Sequence, residues 1–100
     1  MGMESAFDEM IDLARRVGLR VRHVHLGGNG GGLARIKGAG QLFIDLDAHP
    51  LDQLEQTARA LACVSEVDVV FVRPDVRELL EKYREEGREL RPPAGPETGV

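Results

Sequence analysis

Apolar residues recur at helical spacing near the start of the chain, with Phe7, Met10, Ile11, Ala14 and Val17 on one face. This predicts an amphipathic helix over residues 5–17, with Ser5 as its N-cap. Asp8 and Glu9 suit its first turn, and Arg15 and Arg16 its last. Gly18 is placed to end it. Residues 19–26, LRVRHVHL, read as a strand whose apolar face switches midway. Leu19 and Val21 share a face with His23 and His25, while Arg20 and Arg22 share the other with Val24 and Leu26. Either a bulge re-phases this strand or each face is half covered. Residues 27–32, GGNGGG, hold five glycines in six positions and predict a flexible loop.

The stretch Gly31–Asp47 is the expected structural centre. Leu33–Lys37 reads as one strand of a hairpin, Gly38-Ala39-Gly40 as its turn, and the residues after it as the second strand. In that second strand Leu42, Ile44 and Leu46 point one way. Phe43, Asp45 and Asp47 point the other, with the acids toward solvent or a site. Pro50 suits the first position of a helix. Leu51, Leu54, Ala58, Leu61 and Ala62 form that helix's buried stripe, and Asp52, Gln53, Glu55, Gln56 and Arg59 its wet face. Residues 67–72, VDVVFV, read as a buried strand. Were it to join the hairpin's sheet, strand–helix–strand would make a right-handed crossover and a parallel pair. Pro74 opens a last helix with Val76, Leu79, Leu80 and Tyr83 on one face and Gly87 at its end. The pattern amounts to one α+β domain over residues 1–87. It predicts a small mixed or mainly antiparallel sheet built on the hairpin, with about three helices mainly on one face. Residues 88–100 carry three prolines and two glycines and read as a disordered tail.

A chain of 100 residues with 42% apolar and 30% charged positions can bury one modest core. Its net charge of −4 argues against nucleic acid as a partner, which would demand lysines and arginines for the phosphates. The cluster Arg15, Arg16, Arg20 and Arg22 is the only local counter-argument. No apolar stretch approaches a membrane span, and the first ten residues lack a signal peptide's basic and apolar regions. With one cysteine, Cys63, there is no internal disulfide, and the cytoplasm is the expected compartment.

Three features could carry chemistry. The Gly27–Gly32 loop could cradle a phosphate with its N–H groups. It runs into a strand rather than a helix, however, and contains no lysine or hydroxyl residue, so a plain connection is favoured. His23 and His25, two apart on a strand, could share a metal, and Asp45 and Asp47 have the same spacing. A metal site needs three or four such groups to converge. The bland reading, a wet sheet surface, is favoured. Cys63 lies near a helix C-terminus with no histidine close in sequence and reads as buried and inert. No catalytic or cofactor motif is complete, so no catalytic residue and no cofactor are expected.

Taken together, GGLARIKG (31–38), LFIDLD (42–47), PLDQLEQTARALA (50–62) and RPDVRELLE (73–81) resemble a family of short bacterial proteins of unassigned activity. That family usually carries Gly-Gly-Leu-Cys-Arg in the first piece, and Ala34 departs from it. The resemblance implies a fold and no catalytic residues. The hairpin leading into a helix is also faintly similar to the ImmA/IrrE-type zinc peptidases. Their helix carries His-Glu-x-x-His, whereas the matching one here reads TARALA. If that likeness holds, the metal chemistry is gone.

The leading expectation is a non-enzymatic protein-interaction or accessory module, with a homodimer as one way of covering a sheet face or edge. The alternative is a small-molecule or metal-binding protein using His23, His25 and the Gly27–Gly32 loop.

Overall fold

The computed structural model describes residues 2–90, with side chains to residue 86. Its elements run α1 (Met3–Arg16), β1 (Arg20–Val24), β2 (Gly32–Ile36), β3 (Ala39–Asp45), α2 (Pro50–Ala62), a short 3-10 helix (Ser65–Val69) and α3 (Pro74–Leu90). This is an α+β fold with a three-stranded mixed sheet. The strand order is β1-β3-β2, so β3 is central, parallel to β1 and antiparallel to β2.

The helices start and stop for local reasons. α1 begins two residues earlier than its apolar spacing suggests, and Gly2 rather than Ser5 is its N-cap. The Ser5 hydroxyl instead accepts a bond from Arg73 at the start of α3. At its C-terminus the amides of Gly18 and Leu19 reach back to the carbonyls of Arg15 and Ala14, which seals the last turn. Pro50 sits in the first turn of α2, and the His49 ring caps it by accepting from the Leu51 amide at 3.1 Å. α3 passes through Gly87 to Leu90 rather than ending there. A helical glycine costs only about 1 kcal/mol against alanine, which good helix formers on either side can absorb. The rest of the expected tail lies outside the described residues.

The core sits between one face of the sheet and the helices. Leu42 and Ile44 of β3 are fully buried there with Met10, Leu13, Leu61, Val67 and Val76. β1 keeps an unbroken register with β3 from Arg20 to Val24, so there is no bulge. Its mixed pattern reflects half-covered faces, with Val21 and Val24 both partly buried. By alternation, Arg20, Arg22, Ala34, Gln41 and Phe43 project from the sheet face opposite Leu42 and Ile44.

Two further expectations are corrected. The hairpin turn is Lys37-Gly38, not Gly38-Ala39-Gly40, because Ile36 pairs with Ala39. Both turn residues have positive φ, 53° and 82°, as a type I′ turn requires. This turn matches the twist of its strands, so Ala39 and Gly40 are left to extend β3. The VDVVFV segment is not a strand. It forms the 3-10 helix and an extended stretch, and only Val67 and Val72 are buried. Side chains take the place of a strand neighbour: Arg16 donates to the Phe71 carbonyl at 3.0 Å and Arg77 to that of Val70 at 3.4 Å. The parallel pair is made instead by β1 and β3.

Candidate functional site

β1 and β3 run parallel and finish side by side, and the glycine loop leaves from that end. Asp45 is the last residue of β3, and it is fully buried. Its expected place on a wet face is therefore corrected. The carboxylate accepts four backbone N–H bonds. Leu26 and Asp47 donate to Oδ1 at 2.9 Å each, and Gly28 and Gly30 donate to Oδ2 at 2.7 and 2.8 Å. Burial alone would raise its pKa, but the amides of Gly30, Leu26, Asp47 and Gly28 outweigh it and bring the value down to about 2. The loop is thus an internal anion nest that Asp45 already fills. Gly28 can present its amide this way because its φ is 104°. A Cβ at Gly30 would strike the Leu26 side chain, and one at Gly31 the Gln56 Oε1. The Gln56 amide fastens the loop to α2 by donating to the Gly28 carbonyl at 3.1 Å. The expected flexible connection is a held one.

Asp47 lies outside the strand and is exposed. Its Oδ1 is 2.8 Å from His25 Nδ1, and its Oδ2 accepts from the Gly27 amide at 2.9 Å. The bond to His25, followed by that from Gly27, holds its carboxyl below the usual range. The structure brings His25 and Asp47 together and leaves the other two candidates apart from them. His23 stands in β1 opposite Ile44, and Asp45 faces the loop amides. Among the described residues no group of three or more His, Cys, Asp or Glu side chains is placed to hold one metal ion.

The other notable region is the outer strand β2. Its free edge runs beside α2, and an open groove of about 510 Å³ lies between them, lined by Gly31, Leu33, Gln56, Arg59, Ala60 and Cys63. Gln56, Arg59 and Ala60 follow helical spacing and make one stripe of α2, which Cys63 continues just past the helix end. A second cavity, of about 400 Å³, shares Leu33 and Cys63 with the first and carries the groove on past Arg35 toward the hairpin turn. On the other side of β2 a hollow of about 350 Å³ is lined by Leu26, Gly32, Ala34 and Phe43. Cys63 is exposed, not buried, because it follows the last residue of α2 and its thiol lies against the Arg59 carbonyl at 3.5 Å.

Sequence reasoning missed the role of Asp45 and the stripe on α2. An acid at the end of an otherwise apolar strand, facing a run of glycines, was the available signal for the first. For the second, Arg59 and Gln56 read as an ordinary wet face, since nothing along the chain says which strand lies beside them. Comparison with family models, with curated proteins and with solved structures found no match.

Proposed function

We propose that this chain is a non-enzymatic protein-interaction domain that works from its sheet rather than from its glycine loop. The observation that carries this is the one-sided sheet. Helices cover the face bearing Leu42 and Ile44, and among the described residues both outer strands have a strand neighbour on one side only. Apolar side chains stand at the surface around this frame: Ile36 and Leu33 on β2, and Val69 and Phe71 at 82% and 74% exposure after α2. An unpaired strand edge with apolar flanks is a ready partner surface.

The glycine loop supports a ligand-binding reading less well. Three of the loop amides that would cradle a phosphate, those of Gly27, Gly28 and Gly30, already bond to Asp47 and Asp45. A metal would have His25 Nε2 as its first ligand, oriented by Asp47, and among the described residues no group of three or more His, Cys, Asp or Glu side chains converges to complete a site. Among the described residues no helix is long and apolar enough to cross a membrane. With a lone exposed thiol, the cytoplasm is the compartment we propose.

The test is a scan with a photo-crosslinking amino acid in cells. Placed in turn at Arg22, Asn29, Arg35 and Phe71, it should give discrete protein adducts at Arg35 or Phe71. No adduct at any surface position, together with a thermal shift on adding a metal or nucleotide, would replace this reading with the ligand-binding one.

A further inference from the structure

We infer that the free edge of β2 is a strand-addition site, and that its occupant is an extended acidic segment of another protein. This rests on the protein-interaction reading and names the surface and the partner chemistry. In a two-residue hairpin the residues flanking the turn exchange both backbone bonds, here Ile36 and Ala39, and bonded pairs then alternate along the ladder. Ala34 and Gly32 therefore turn their amide and carbonyl groups toward β3. Leu33 and Arg35 turn theirs outward, to the open edge. An added strand would take up those groups, as in other cases of recognition by sheet extension.

The grooves on either side of β2 give such a strand places for its side chains. Alternate residues of an extended segment point to opposite faces. One set would enter the groove beside the α2 stripe, and the other the apolar hollow formed by Leu26, Ala34 and Phe43. Charge sets the sign of the first. Arg59 lines the groove and Arg35 its continuation, and neither has an ion-pair partner among the described residues. Arg35 donates to the carbonyl of Gly38 in its own turn, and Arg59 lies over the Tyr83 ring at 4.9 Å. Among the described residues Glu66 is the one acid lining either cavity. A segment alternating apolar and acidic residues would put its acids beside the two guanidiniums and its apolar side chains in the hollow. The β1 edge differs: Arg20 and Arg22 project from the helix-free face there.

The probe is a synthetic peptide, acetyl-Thr-Val-Glu-Val-Glu-Val-Gly-amide, with a second peptide carrying Lys for Glu. Binding is followed by amide chemical shifts of the full chain and by the rate at which Cys63 reacts with a soluble thiol reagent. The acidic peptide should shift Leu33 and Arg35 most, slow the thiol reaction at least fivefold, and bind at least fivefold more tightly than the lysine peptide. Leu33→Pro removes an outward N–H without touching the β3 ladder, so binding should fall at least tenfold in a folded protein. If that variant does not fold, Arg35→Glu serves instead, and should invert the preference between the two peptides. Equal binding of both peptides, binding of neither, or shifts centred on β1 or Phe71 would overturn the proposal. So would a homodimer through β2 that excludes the peptide. Photo-crosslinks at Phe71 with no peptide binding at β2 would overturn this site alone and leave the protein-interaction reading standing.

Discussion

The two ends of β3 solve the same problem in different ways. At one end the chain must reverse through Gly32 and β2 after leaving β1, and a buried carboxylate gathers the loop's amides to hold it. At the other end the reversal takes two residues, and the backbone conformation of Lys37-Gly38 does the work with no buried charge. A short turn needs only the right φ values. A seven-residue connection has too many conformers for that, and a common acceptor removes most of them. The first end should therefore depend on one side chain and on pH, and the second on neither.

The sharpest way to break that contrast is Asp45→Ala. It would strand the amides of Leu26, Gly28 and Gly30, whose bonds to the buried carboxylate are themselves part-buried. We expect the melting temperature to fall by about 10 °C or more, or the domain not to fold. Hydrogen exchange at those three amides should accelerate well beyond the global change. A loss no larger than that of an ordinary surface substitution would show that the loop holds its shape without the carboxylate.

Acid offers the same test without a mutation. A carboxyl whose pKa is lowered by folding stabilises the fold above its unfolded value, about 3.9. That contribution is lost as the pH falls through the folded value, which for Asp45 is about 2. Stability should therefore decline from about pH 4 toward pH 2, and the loop amides should lose protection before those of the hairpin. Asp47, also lowered, adds to the decline with the same sign. Denaturant melts between pH 5 and pH 2, compared with those of Asp45→Asn, would isolate the Asp45 part.

The hairpin end was the more legible in the sequence. Alternating apolar residues and a glycine-containing link identify a hairpin, but the pattern starts the turn one residue late and makes it three residues rather than two, since Ala39 and Gly40 belong to β3. The helices were legible for the same reason, since the stripes at Met10, Leu61 and Val76 state which face is buried. The loop end was hidden because its order comes from a residue fifteen or more positions away. Asp45 looks like any strand acid until its neighbours are known. VDVVFV resembles a strand along the chain because β-branched content fits a strand as well as it fits an extended segment. What decides between them is whether a sheet edge lies within reach, and in this fold Arg16 and Arg77 reach its carbonyls first.

A smaller effect separates the two acids at the loop end. Asp47 has only His25 and Gly27 as partners, both at the surface. Exposed pairs of this kind contribute little. Asp47→Ala should lower the melting temperature by about 2–4 °C, clearly less than the change at Asp45. His25→Ala should do no more than Asp47→Ala, because it removes one of the two bonds. If Asp47→Ala matched Asp45→Ala, the loop would be a jointly held unit rather than one with a single anchor.

The smallest expected effect lies at the other end and has the opposite sign. Lys37 is the one described non-glycine residue with positive φ, at 53°. A lysine there bears the steric cost of the left-handed region, which asparagine tolerates better. Asn-Gly is also the favoured pair for this turn. Lys37→Asn should raise the melting temperature by about 2–5 °C, whatever the pH between 4 and 8. The pH clause is what makes it a test of the comparison. A gain that vanished in acid would mean that the hairpin end also leans on a carboxylate. A loss would mean that the lysine side chain, rather than the backbone of the turn, holds the strands in register.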